Sequence, residues 1–162
     1  MKKIFFVATV DRAVTFFLIN HIYELSAHFD LTVITHAELK SDLFKQNFFR
    51  LIPLKIQRKV DFFRDLIALI YLIYYFIKFK PYAVHSITPK AGLLAMIASF
   101  LTRTPLRIHT FTGQVWATSS GSRRLILKYL DRLITYLATI VIVDSPSQQR
   151  FLLDEKVLTK NK

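Results

Sequence analysis

Short runs rich in Val, Ile, Leu and Phe, apolar at consecutive positions, alternate along this chain with segments long enough for three or more helical turns. No other feature constrains the fold as much. Consecutive apolar residues suit strands buried on both faces, and strands separated by helices form right-handed βαβ units with a mostly parallel sheet. The strand candidates are Lys3–Thr9, Leu31–Thr35, Tyr82–His85, Leu106–Thr110 and Ile140–Asp144. Helical patterns fall at Val14–His28, Val60–Phe79, Lys90–Thr102, Arg123–Thr139 and Ser147–Glu155. The stretch Lys40–Gln57 is mixed, with a short strand near Arg50–Leu54 and room for a short helix. The pattern predicts an α/β fold, a mostly parallel sheet with helices on both faces. With 162 residues, no linker-like stretch and no internal repeat, the chain reads as one domain or one lobe.

Composition removes whole classes of function. There is no cysteine, hence no disulfide scaffold and no thiolate zinc site. The three glycines, Gly92, Gly113 and Gly121, cannot spell a P-loop or a GxGxxG fingerprint. His, Asp and Glu show no metal-ligand spacing such as HExxH, so no metal site and no cofactor are expected. A surplus of 23 Lys and Arg over 11 acids, a net +12, points to a polyanionic partner: nucleic acid, anionic lipid or a phosphorylated substrate. Met1-Lys2-Lys3 followed by Ile4–Val10 imitates a signal peptide, but no small-residue cleavage site follows, and the segment reads as a strand. The longest uncharged apolar run, Leu66–Ile77, covers about 18 Å as a helix, short of the roughly 30 Å hydrocarbon core of a bilayer.

That run has a second property. Val60, Phe63, Ile67, Ile70, Tyr74 and Ile77 form a core stripe at helical spacing, while Leu66, Leu69, Tyr71, Leu72, Ile73, Tyr75 and Phe76 make the other side apolar too. A helix apolar all round is buried between two layers or lies in lipid. Lys55, Arg58, Lys59 and Arg64 precede it and Lys78 and Lys80 follow it, as suits a bilayer interface. Leu72 and Tyr75 are the expected membrane contacts.

In a sheet of this type, ligands bind beyond the carboxyl ends of the strands. Those loops are Val10–Ala13, Ser86–Gly92, Phe111–Gly121 and Asp144–Ser147. Thr88-Pro89-Lys90 puts a cation at a helix start, where free backbone N–H groups favour anions. Thr112-Gly113-Gln114 offers hydroxyl, amide and backbone donors to sugar or phosphate oxygens. Asp11 either orients hydroxyls or caps the first helix. Trp116 either stacks on a sugar or covers the core edge, and Arg123, Arg124, Lys128 and Arg132 form either a solvated face or a phosphate-attracting strip.

Three segments carry a resemblance. Val84–Leu94 (VHSITPKAGLL), Arg107–Thr118 (RIHTFTGQVWAT) and Val143–Leu152 (VDSPSQQRFL) resemble, in order and spacing, segments of bacterial family 4 glycosyltransferases of a polysaccharide-assembly branch. The resemblance implies the acceptor-side, N-terminal lobe of a GT-B fold, Rossmann-like, across residues 1–162. It places the C-terminal lobe, which holds the nucleotide-sugar donor and the EX7E motif, beyond Asn161-Lys162. The implied reaction moves a sugar onto a lipid-linked (polyprenyl diphosphate) glycan, without a metal, at the cytoplasmic face of the cell membrane. The implied acceptor-binding residues are Asp11, Thr88, Lys90, His109, Thr112, Gly113 and Gln114. No catalytic residue is assigned, because Thr112 stands where many members have a histidine, and Thr9–Ala13 replaces a Gly-Gly loop. The chain alone is expected to be inactive. Two other classes stay open: a non-catalytic membrane-recruiting subunit of a split transferase and, remotely, a basic nucleic-acid-binding domain.

Overall fold

The computed structural model describes residues 1–36, 42–56 and 61–159. Six parallel strands, β1 (Lys3–Val10), β2 (Asp30–His36), β3 (Arg50–Pro53), β4 (Ala83–Ile87), β5 (Leu106–Phe111) and β6 (Ile140–Val143), form one sheet in the order β3-β2-β1-β4-β5-β6. The order turns back between β1 and β4, and their carboxyl ends open a crevice. All the expected strands form, each within about two residues of its expected bounds.

Among the described residues six helices connect and follow the strands: α1 (Asp11–Phe17), α2 (Ile19–Ser26), α3 (Phe62–Phe79), α4 (Pro89–Leu101), α5 (Gly121–Leu137) and α6 (Pro146–Asp154). A single 3-10 turn at Asp42–Lys45 supplies Leu43 to the core. The pleat divides the core in two. Ile4, Phe6, Ala8, Leu31 and Val33 face α1 and α2, whereas Phe5, Val7, Ile34, Val84 and Phe111 face α3, α4 and α5. Helices therefore cover both faces, as the doubly apolar strands require. At the β5–β6 end, Ile140 and Ile142 remain 45% and 42% exposed on the α1–α2 side.

Two helices differ from their sequence patterns. The expected single helix Val14–His28 begins at Asp11 and breaks at Leu18, whose φ of −120° leaves the helical range. Its core side carries Val14, Leu18 and Ile22, with Leu25 packed partly buried beside them. In α3 the buried stripe differs from the expected one: Ala68, Leu72 and Phe76 are buried, while Phe63, Ile67, Ile70, Tyr74 and Ile77 are 51–76% exposed. Val60, the first member of the expected stripe, lies outside the described residues, as do Lys40, Arg58 and Lys59. Leu72 is fully buried against the sheet and cannot touch lipid in this packing. Tyr75 is half-buried, stacked between Tyr71 and Phe79. The outward apolar face is the one expected to point inward.

Local chemistry fixes the ends of α3. Asp61 accepts the Arg64 N–H at 3.1 Å as an N-cap. Lys80 closes the other end in the left-handed region, at φ 48°, immediately before Pro81. No described helix is long and apolar enough to cross a membrane.

Candidate functional site

The crevice between β1 and β4 is built from backbone and hydroxyls. Thr9, the penultimate residue of β1, hydrogen-bonds the Thr88 hydroxyl through its own hydroxyl at 2.7 Å and donates its N–H to the same oxygen at 3.2 Å. Thr88 adopts φ 77°, a costly conformation for a β-branched residue. Those two bonds hold it there and set the direction in which α4 departs. Pro89 opens α4 at a position that has no N–H to satisfy, and the Thr88 side chain makes no capping bond to the helix. Asp11 is half-buried on the β1 side, where its carboxylate accepts the Arg12 N–H at 2.7 Å. Asp11 is the first residue of α1, whose N-cap is Val10, so the carboxylate bonds a neighbouring first-turn amide without capping the helix.

Lys90 departs from expectation. Its ammonium pairs with the Asp65 carboxylate of α3 at 2.6 Å, with both side chains largely buried. The positive charge is turned toward the α3–α4 seam and is partly compensated there. It is not an isolated cation over the helix start.

His109 departs further. It is 1% exposed, with Nδ1 2.9 Å from the Ser86 hydroxyl and its ring edge-on to Phe111 at 4.6 Å. Burial pushes its pKa down to about 3, with His85 adding repulsion, so the ring is neutral. A side chain so enclosed cannot contact an acceptor. It supports the site from beneath, because α4 lies directly over the ring. A Cβ built on Gly92 would come within 2.3 Å of His109 Cε1, so only glycine fits. His85, half-buried with Nε2 2.8 Å from the Thr110 hydroxyl, is also held neutral by burial, its pKa near 4.

One strand over, Thr112-Gly113-Gln114 leaves β5. Gly113 has φ 122°, which a residue with a Cβ rarely adopts, and a Cβ there would meet nothing within 4 Å. Its backbone conformation, not a close approach, requires glycine. Gln114 Oε1 lies 3.5 Å from Gln148 Nε2, and the Gln114 amide nitrogen is buried with no partner among the described residues. Gln148 also accepts the Asp144 N–H at 2.7 Å, tying the β5 and β6 loops to the start of α6. Thr112 is half-buried and Gly113 exposed at this rim.

Trp116 belongs to the core. It is 1% exposed, stacks on Phe151 at 5.2 Å and donates its indole N–H to Asp131 at 2.7 Å. Burial raises the Asp131 pKa to about 6 against that hydrogen bond. The basic strip on α5 is largely internal as well. Arg124 and Lys128 both bind Glu155, and Arg132 donates to the carbonyls of Glu155 and Lys156 at the end of α6. Arg123 is exposed and lines a polar hollow of about 370 Å³ with Val115, Thr118, Ser119 and Ser120.

The structure thus sorts the expected residues into two neighbouring groups. Asp11, Thr88 and Lys90 flank the crevice; Thr112, Gly113 and Gln114 form the β5 rim; His109 lies below both. Thr9, Ser86, Asp65 and Gln148 were not singled out from sequence. Gln148 stood inside a recognised segment, whereas Asp65 becomes visible only once α3 and α4 are packed. Hydroxyls, amides and the positive end of a helix can bind sugar hydroxyls and phosphate oxygens. Among the described residues no three of His, Asp and Glu come together as a metal-ligand cluster.

Residues 3–145 match the family described as Glycosyl transferase 4-like. The capsular polysaccharide biosynthesis glycosyltransferase CapM of Staphylococcus aureus is 29% identical over 161 residues, 99% of this chain and 42% of that protein. Among solved structures, UDP-N-acetylglucosamine 2-epimerase of Rickettsia bellii superposes with a TM-score of 0.71 at 14% identity, over 96% of this chain and 42% of that one. MurG of Acinetobacter baumannii gives 0.67 at 15% identity, over 90% and 42%. The chain therefore spans well under half the length of each, the extent of one Rossmann-like lobe of a GT-B fold.

Proposed function

The chain belongs to the Glycosyl transferase 4-like family, and from that premise we propose that it is the acceptor-side lobe of a glycosyltransferase of surface polysaccharide synthesis. The reaction would move a sugar from a nucleotide-sugar to a glycan carried on a polyprenyl diphosphate, at the inner face of the cell membrane. The observation that carries this reading is the rim at the carboxyl ends of β1, β4 and β5. It is rich in hydroxyl, amide and helix N–H donors, and the histidines beneath it stay neutral. Such a rim binds and orients an acceptor. Stabilising the leaving nucleotide diphosphate calls for preorganised donors around that group. In this proposal they come from residues outside these 162.

Within this lobe, the acceptor diphosphate would sit at the start of α4, where the helix dipole favours negative charge. Lys90, shared with Asp65, contributes less than a free cation would. Asp11 and the Thr112–Gln114 loop would orient the sugar hydroxyls. The outward face of α3 supports a position at the membrane surface: Phe62, Phe63, Ile67, Ile70 and Ile77 are 53–76% exposed, with Arg64 near one end and Lys78 and Lys80 at the other. That same face also favours a second reading, a membrane-recruiting subunit that catalyses nothing itself.

The test is calorimetric titration of the folded chain with a short-chain prenyl diphosphate-linked sugar. Binding is expected, and Lys90→Ala should weaken it by about 1.5 kcal/mol, the low end for a charged hydrogen bond. No binding to the intact chain would remove the acceptor-lobe reading and leave the recruiting subunit.

A further inference from the structure

Beside the outward face of α3 lies a groove of about 550 Å³, between that helix and the end of β3. Its floor is apolar, formed by the buried Leu54 and Ala68, and one wall is the stacked pair Tyr71 and Tyr75, with ring centroids 6.5 Å apart. Two cations line it, Lys55 and Arg64, both exposed and hence at the rim. Asp61 lies 3.3 Å from Arg64 Nε, and among the described residues the rest of that guanidinium shows no second ion pair. We propose that this groove holds one anionic phospholipid of the bilayer, an acyl chain along the floor and its phosphate between Lys55 and Arg64.

The chemistry matches one molecule at both ends. A hydrocarbon chain can cover the apolar floor of an open groove without leaving polar groups unpaired, and a phosphate accepts charge-assisted bonds from Lys and Arg. The volume lies within the range of sites for small amphiphiles. A peptide strand fits less well, because β3 is only four residues long and ends in Pro53, which has no N–H to offer an added strand. The proposal rests on the membrane reading above and deepens it. A surface that merely adheres to lipid needs no groove, while this one would select a charged headgroup and fix the rotation of α3 on the bilayer.

The test uses the whole chain and monomeric dihexanoyl phosphatidylglycerol below its micelle concentration, with dihexanoyl phosphatidylcholine as the neutral control. Flotation with vesicles of phosphatidylcholine plus phosphatidylglycerol runs alongside. Saturable binding of the anionic monomer is expected, and the paired change Lys55→Gln with Arg64→Gln should weaken it at least about tenfold, each contact contributing on the scale of one basic residue at an anionic surface. Lys78→Gln with Lys80→Gln removes the same charge from the far end of α3 and should leave monomer binding unchanged. Equal losses from the two pairs, or equal affinity for the neutral lipid, would overturn the groove. Vesicle binding without monomer binding would also overturn it, and would leave the membrane reading standing. Failure to bind either would end both.

Discussion

Gly92→Ala probes the seating of α4 on the sheet, the contact that aims the helix start at the crevice. In an ordinary helix interior this change adds about 1 kcal/mol of stability. Here the new Cβ would lie 2.3 Å from His109 Cε1 and 2.7 Å from Nδ1, where unstrained contacts begin near 3.4 Å. The ring cannot swing aside freely, since Ser86 holds one edge and Phe111 packs against it. Either α4 lifts by roughly an ångström or the Ser86 bond breaks. Overpacking of this severity costs about 3 kcal/mol, and loss of the hydrogen bond about 1 more. Less the propensity gain, the net loss is about 3 kcal/mol, read by urea denaturation. The same change made beside His109→Ala has no ring to strike, so the double variant should be at least about 2 kcal/mol more stable than the sum of the single effects. A neutral or stabilising Gly92→Ala would mean that α4 does not rest on His109, and the account of how the site is positioned would fail.

Two further predictions concern pH and the membrane face. His85 and His109 have folded-state pKa values depressed to about 4 and about 3, so the unfolded chain takes up protons first, and stability present above about pH 6.5 is lost as pH falls. Together they should remove about 4 kcal/mol between pH 7.5 and 5. Asp131 acts oppositely, since its pKa is raised to about 6 and its folded form gains a proton first, returning about 1.5 kcal/mol by pH 5. A net loss of about 2.5 kcal/mol in denaturation midpoints is expected, and constant stability across that range would refute neutral buried histidines. On α3, Ile70→Glu should leave the fold intact and reduce vesicle flotation at least about tenfold, whereas Leu72→Glu should unfold the chain by burying a charge. Flotation is the readout for the first and circular dichroism for the second; the reverse pattern would contradict the packing of α3.

The sheet and its helices were legible because each strand is apolar at consecutive positions and Pro81, Pro89, Pro105 and Pro146 punctuate the connections. Periodicity also gave the spacing of α3 but not its phase. In α3 nearly every residue from Leu66 to Ile77 is apolar, and the hydrophobic pattern cannot say which stripe faces the sheet. Packing decides, and it selects the stripe of Ala68, Leu72 and Phe76, which joins the core cluster beneath the helix. Similarly, the loops of the site could be named from the ends of the strands, but the state of individual side chains could not. The Lys90–Asp65 pair joins two helices through packing alone. His109 lies within a strand whose neighbours alternate in exposure, and its burial follows from the glycine above it. Trp116 read equally as a sugar platform or core cover until Asp131 and Phe151 were placed around it.

The central claim is that these residues hold the acceptor while the donor is bound elsewhere. Its most direct test is to incubate the purified, folded chain with a nucleotide-sugar and a prenyl diphosphate-linked acceptor, measuring sugar transfer and the binding of each ligand separately. The account predicts acceptor binding, at most weak nucleotide-sugar binding and no transfer. Turnover by the 162-residue chain, or tight nucleotide-sugar binding with none for the acceptor, would contradict it.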